Sequence, residues 1–317
     1  MTAFSPNTRS APRRRAVMRA QLCRSRRHTA AAGGPARPGF RHATVALVLA
    51  VASACAPVQS GEIDTSARPA TANERVPLVR PSDARSAREA LFLVNNRWGS
   101  QWYHTAVVGL DITLLGLGAP APGQWTLSLR VPGRARIDYQ PHESKSGLLY
   151  TPGAVYGFQE GAQAAMDERT DLAMVALADL PALSPDSAMV ALAAARVDTS
   201  LFRIANEGGA HVWIIGGGVN DSLRSEVAID AERLLVRRAT EVRPLAQRTL
   251  TTEARVESWR EQDGLSFPSV VNRYREGTHT MRERWAAVIV DIALPLDLFN
   301  PAQWGKVQPP AAPVVRN

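Results

Sequence analysis

Cysteine, histidine and a run of three glycines are where this 317-residue chain could do chemistry. Cys55 stands at the end of an apolar run of small residues, within FRHATVALVLAVASACAPVQS at 40–60. A thiol there could be a nucleophile, half of a disulfide or a site of acylation. His104, His142, His211 and His279 could act as bases or metal ligands, but they lie far apart and have no acidic partner at a recognisable spacing. Gly216-Gly-Gly218 follows the apolar run Val212 to Ile215 and could cradle a phosphate. What comes next reads as another strand, so the helix N-terminus that would face a phosphate is missing and a turn is expected. The chain contains no Gly-x-Ser-x-Gly elbow and no His-Glu-x-x-His or Cys-x-x-Cys spacing. No catalytic set, metal site or cofactor is therefore expected. Asp167-Glu168 and Glu257 to Glu261 read as solvated faces or caps. The alternating charges of Glu253, Arg255 and Glu257, and of Arg282, Glu283 and Arg284, suit cross-strand pairing on a wet sheet face.

The overall charge points first to nucleic acid, with 37 Lys and Arg against 29 Asp and Glu and a pI near 10.3. The distribution removes that reading. Met1 to Ala54 holds ten arginines and no acid, so of the net +8 this segment carries +10 and the remainder −2. A near-neutral remainder offers no clustered cations for phosphates. A basic stretch, an apolar run from Ala43 to Ala54 and small residues together have the layout of an export signal. The run is about twelve residues, short of the ~20 that a membrane-spanning helix needs. A start at Met18 would give a shorter basic region. Arg26-Arg27 is followed by His28-Thr29 rather than by the apolar residues of a twin-arginine signal.

Ala52-Ser53-Ala54-Cys55 resembles a lipobox, in which the cysteine is diacylated and becomes the new N-terminus. Cys23 falls in the segment that would be removed, so the mature chain would have no internal disulfide. Pro57, Ser60, Thr65, Pro69 and Thr71 follow in a polar stretch with little to bury. The expected organisation is a removed basic signal at 1–54, lipidated Cys55 with a flexible tether to 81, a folded domain at 82–304 and a tail at 305–317. As a coil the tether would reach on the order of 25–30 Å. Ordinary signal cleavage near the same place is the alternative to an anchor.

In the folded part, Ser86-Ala-Arg-Glu89 is a capping box for a helix ending near Gly99. The period then changes to two. Trp125, Leu127, Leu129 and Val131 alternate with Thr126, Ser128 and Arg130, and Ala135, Ile137 and Tyr139 repeat the pattern. Leu148 to Phe158 reads as two short strands around Thr-Pro-Gly. Thr170-Asp171 opens a helix to about Ala178, and Ser184-Pro185 opens another. Strands follow at 200–205, 211–215, 223–230, 233–242, 250–260, 266–275 and 278–292. Their links Asn206 to Gly209, Asp230 to Glu232, Asp263-Gly264 and Glu276-Gly277 are hairpin-like. The predicted class is mainly β (α+β): an antiparallel meander with a few short helices.

Aromatic and aliphatic side chains on these strands outrun the helix available to bury them. Trp213, Tyr156, Phe158, Trp259, Phe267, Tyr274 and Trp285 join the row that begins at Trp125. They are either a packed core or the lining of a concave sheet that holds an apolar ligand. Periodicity serves both readings equally. For the second, the lining candidates are Trp125, Leu127, Leu129, Val131, Ile137, Tyr139, Tyr156, Phe158 and Trp213.

Ile229-Asp-Ala-Glu-Arg-Leu-Leu-Val-Arg-Arg238, Ser258-Trp-Arg-Glu-Gln-Asp-Gly-Leu-Ser-Phe-Pro268, the long strand to Ile292 and the coda Pro295 to Pro301 resemble the outer-membrane lipoprotein-sorting superfamily. Its members include the LolA and LolB carriers and LppX-like lipoproteins. The resemblance implies a curved antiparallel half-barrel with helices closing its open side, over a cavity that takes acyl chains without a cofactor or a reaction. It implies a hydrophobic partner, a lipid or a lipoprotein's acyl chains. With an anchor at Cys55, a tethered receptor or LppX-like binder fits better than a free shuttle. Ala56 after the cysteine, rather than aspartate, fits the periplasmic face of the outer membrane. A tethered module with a filled core is the alternative function, and an envelope hydrolase with an unrecognised site is the third.

Cys55→Ser should release the protein from membranes on fractionation; unchanged membrane association would contradict the anchor.

Overall fold

The computed structural model describes residues 84–116, 121–218 and 223–313. Cys55, with the expected signal and the whole of the expected tether, lies outside the described residues. The first element is the capped helix, α1, Ala87–Trp98. Ser86 Oγ accepts from Glu89 N at 3.2 Å and Glu89 Oε2 accepts from Arg85 N at 2.7 Å, so the capping box closes much as its spacing implies.

Six strands follow: β1 Thr105–Leu114, β2 Ala121–Arg130, β3 Arg134–Tyr139, β4 Gly147–Thr151, β5 Ala154–Gln159 and β6 Ala162–Asp167. The helical interlude is α2, Leu172–Met174, running into a π-helical turn at Val175–Asp179, and then α3, Pro185–Ala194. Seven more strands follow: β7 Phe202–Glu207, β8 Ala210–Ile215, β9 Glu226–Asp230, β10 Leu235–Pro244, β11 Thr249–Gln262, β12 Leu265–Arg275 and β13 Thr278–Val290. Several hairpin turns fall where glycine predicts them, whereas the β9–β10 turn, Ala231 to Leu234, has none and places Leu234 at φ 58°. At Asp263-Gly264 both residues have positive φ, 53° and 77°, the twist that matches a two-residue hairpin and that a Gly at the second place tolerates without strain.

All thirteen strands form one antiparallel sheet in the order β6-β5-β4-β3-β2-β1-β13-β12-β11-β10-β9-β8-β7. Its edges, β6 and β7, do not meet, so the sheet is an open, curved half-barrel, as expected from the sequence. Strands β1 and β6 were not legible in the periodicity. In β1 both faces are buried, which erases alternation, and β6 is Ala-Gln-Ala-Ala-Met-Asp, exposed throughout.

The sheet has two differently covered faces. On the outer face Val107, Leu149 and Phe158 pack under the coda, with Leu294, Leu298, Phe299 and Trp304. Trp304 stacks on Phe158 at 4.2 Å between centroids and 6° between planes, and its indole N–H donates to Lys145 O at 2.9 Å. The Arg136 guanidinium lies 4.1 Å above the Trp304 ring and forms a buried ion pair with Asp138 at 2.8 Å. Burial raises Asp138 above the usual carboxylate range, against the pull of Arg136. Arg136 also donates to the carbonyls of Leu298 and Val307. The first residues of the predicted tail are thereby held on the sheet.

Trp304→Ala removes the stack, the cation–π contact and a hydrogen bond at one stroke. It should cost about 3–5 kcal/mol and lower the melting temperature by roughly 10 °C; an unchanged melting temperature would contradict this role.

Candidate functional site

The inner face of the sheet is built from rows of apolar side chains two residues apart. Trp125 of β2 stands opposite Leu110 and Tyr139, Leu127 opposite Val108 and Ile137, and Leu129 opposite Ala106 and Ala135. The Trp125 and Tyr139 rings lie 4.6 Å apart. Far along the sheet, in β8, Trp213 belongs to the same core cluster as Leu127 and Leu129, because the sheet curves around that cluster. Leu127, Leu129, Val131, Ile137 and Trp213 are buried, with Trp125 and Tyr139 packed against them. These seven of the nine lining candidates are therefore brought together.

Tyr156 and Phe158 are not. They stand on the outer face with Leu149 and Trp304, because Leu149 pairs with Tyr156 and the pleat places that pair opposite to Leu148 and Tyr150. A one-residue change of phase reverses which face a strand row serves, and nothing in Leu148 to Phe158 fixes that phase. Of the other aromatics, Phe267 and Trp285 are in the inner cluster and Trp259 packs against it. Tyr274 instead stacks on His279 at 4.8 Å with Arg255 over its ring.

Helices cover the inner face. From α1, Leu91, Val94 and Trp98 enter the cluster, and from the interlude Leu172, Val175, Leu177 and Leu192 do so. Two indoles that follow one another tie this cover down: Trp98 Nε1 donates to Leu234 O at 3.0 Å and Trp102 Nε1 to Ala178 O at 2.8 Å. Asp171 caps the interlude, its Oδ1 accepting from Met174 N at 3.0 Å, and Ser184 caps α3 through Ser187 N. The Arg88–Asp186 bridge between α1 and α3 is exposed, and so adds at most about 1 kcal/mol.

Charges lie within this apolar frame, and most are paired. Arg273 donates to both Glu283 oxygens, at 2.7 and 3.3 Å. Glu283 is thus buried on the inner face, not on the wet face where its alternation with Arg282 and Arg284 placed it; only those two arginines pair outward, with Glu257 and Asp111. Arg169 bridges Asp167, Asp171 and Glu241, each at 2.9 Å, linking the segment after β6 to β10. Asp167 is therefore part of an ion-pair network rather than a simple solvated face. Burial raises Glu241 above the usual carboxylate range, with Arg169 opposing.

Asp179 lies at the end of the π-helical turn, buried, with Gly133 N donating to both its oxygens at 3.1 Å. No sequence signal marked it. Burial lifts its pKa to about 7, and its charge in turn adds to the burial that raises the Tyr103 hydroxyl.

The histidines remain apart: His142 contacts Gln140, His279 stacks on Tyr274, and His211 is exposed. Gly216, at φ 102°, lies so close to Ser225 that a Cβ would fall 2.4 Å from its carbonyl oxygen, a close approach of backbones rather than a phosphate cradle. Among the described residues, no group of three or more His, Cys, Asp or Glu is arranged to hold a metal, and no helix is long and apolar enough to cross a membrane.

No protein-family model and no curated protein sequence matches the chain. Its fold is similar to that of a number of solved structures, among them the following three. A LolA superfamily protein from Nitrosomonas europaea has 10% identity and a TM-score of 0.43, covering 68% of this chain and 98% of that one. A DUF1329 family protein from Desulfovibrio piger has 11% identity and a TM-score of 0.45, covering 69% and 97%. A structure described as an outer membrane lipoprotein-sorting protein domain, from Vibrio parahaemolyticus, has 10% identity and a TM-score of 0.45, covering 68% and 96%.

Asp179 gives the site a pH signature. A carboxyl that holds its proton in the fold up to about 7, but only to about 3.9 when unfolded, stabilises the fold fully below the lower value. That contribution is lost as pH rises between the two, by roughly 3–4 kcal/mol in all. Melting temperatures from pH 4 to 8 should fall more steeply for the natural chain than for Asp179→Asn; equal slopes would contradict the assignment.

Proposed function

We propose that the chain is a bacterial envelope lipoprotein, tethered through Cys55, whose inner sheet face binds acyl chains of a lipid or a lipoprotein without catalysing a reaction. The observation that carries this reading is the cover. A sheet face lined by Leu127, Leu129, Ile137 and Trp213 is closed not by a second sheet but by short helices, and α3 fully buries little besides Ala188 and Leu192. Lifting α3 would expose side chains worth roughly 3 kcal/mol, whereas a palmitoyl chain buried in its place gains on the order of 10 kcal/mol at ~0.8 kcal/mol per methylene. Ligand burial therefore outweighs the cost of displacing that part of the cover. The basic signal, the small-residue run before Cys55 and Ala56 after it support delivery to the periplasmic face of the outer membrane, with the tether spacing the sheet from the bilayer.

A second reading, a tethered interaction module with a filled core, is favoured by the burial of the same rows under α1 and Trp98. The two separate on one experiment. The full chain carrying Cys55→Ser, purified and extracted with organic solvent, should yield lipid by mass spectrometry and should take up a fluorescent fatty acid. An empty extract with no uptake would favour the filled module and contradict the carrier.

A further inference from the structure

The ladder between β12 and β13 stops early. Pairing runs from Arg275 and Thr278 as far as Val270 and Arg284. From there β12 continues to Leu265 against β11 alone, and β13 continues to Val290 against β1 alone, with a bulge at Ala286 opposite Gly109 and Leu110. Two β11 side chains reach the carbonyls left free on β13. Arg260 Nη1 donates to Ala286 O at 3.0 Å and Gln262 Nε2 to Val288 O at 3.3 Å.

Arg260 is only partly satisfied by this contact. Its Nε and Nη2 are buried with no hydrogen-bond partner, and among the described residues no carboxylate forms an ion pair with it. The contrast with its neighbours is sharp: Arg273 has Glu283, Arg238 has Glu226 and Glu207, and Arg169 has three carboxylates. Burial depresses the Arg260 pKa, and the like charge of Arg284 adds to the effect. The indole Nε1 of Trp285, the residue before Ala286, is likewise buried without a hydrogen-bond partner. The Tyr103 ring stacks on Phe267 at 5.6 Å, and Phe267 pairs with Arg260 across the hairpin.

Guanidinium and indole nitrogens can only donate. Unpartnered guanidinium donors at this seam, with no carboxylate paired to the cation among the described residues, complement an oxyanion, and the guanidinium fork matches a carboxylate or phosphate in two hydrogen bonds. Leaving such donors unpaired is costly.

We infer that the seam between β12 and β13 binds the oxyanion head, carboxylate or phosphate, of an acyl-chain ligand, with Arg260 as its main contact. The inference rests on the acyl-binding reading and adds ligand class to it: the inner face takes the chain, beyond Phe267 and Trp285, and the seam selects ligands with an anionic head.

The test uses the full chain carrying Cys55→Ser and displacement of a fluorescent fatty acid. Palmitate and lysophosphatidate should bind at least tenfold tighter than hexadecanol, which has the chain without the charge. In Arg260→Met that preference should shrink to about twofold or less, and Arg260→Lys should retain part of it. The Met substitution removes an unpaired cation, so its melting temperature should equal or exceed that of the parent chain. Equal binding of palmitate and hexadecanol, or a preference unchanged in Arg260→Met, overturns the seam assignment and leaves the acyl-binding reading standing. Failure of every acyl ligand, hexadecanol included, overturns both. Inorganic phosphate that stabilises the parent but not Arg260→Met, with no preference among acyl ligands, assigns the seam to a free anion and overturns the lipid-head assignment.

Discussion

Every pair of neighbouring strands in the sheet is consecutive in sequence except one, where β1 meets β13. That pairing joins a six-stranded meander to a seven-stranded one, and it is made between residues such as Val108 and Val288. The hairpins within either half are local and form at little entropic cost, whereas closing β1 on β13 orders the whole intervening chain. Only once it forms do Leu127 and Trp213 belong to one apolar cluster. The curved inner face, its helical cover and any ligand it holds all depend on this contact.

The two faces of the sheet then diverge in how they are sealed. On the outer face the coda is fastened by aromatic stacking, a cation–π contact and a buried ion pair, all centred on Trp304 and Arg136. Little there can move without losing several interactions together. On the inner face the cover is graded. Trp98 and Trp102 fix its middle by hydrogen bonds to backbone carbonyls, but α3 contributes small side chains and an exposed salt bridge. A cover that is firm at α1 and light at α3 suits the reversible opening that the proposed carrier requires.

Much of this architecture is written in local pattern. The alternation from Trp125 to Val131, the capping box at Ser86 and the Asp263-Gly264 turn each act through neighbours in sequence, and each is where the pattern places it. What the pattern could not carry depends on the far side of the sheet. Strand β1 lost its alternation because the coda, nearly 200 residues later, buries its outer face. Tyr156 and Phe158 were assigned to the inner face because aromatic type says nothing of pleat phase, and Glu283 to solvent because its partner Arg273 lies on another strand. Asp179 and Arg260 were silent for the same reason: a carboxyl or guanidinium becomes unusual only through what tertiary packing removes from it.

In the proposed carrier the helical cover, α3 above all, separates from the sheet and gives way to an acyl chain. Hydrogen exchange measured by mass spectrometry on the full chain carrying Cys55→Ser, with and without palmitate, tests this. Amides of residues 185–194 should exchange far faster than those of β1, β2 and β13, and palmitate should speed their exchange further while leaving the sheet protected. Protection of α3 equal to that of β1, unaltered by palmitate, would contradict it.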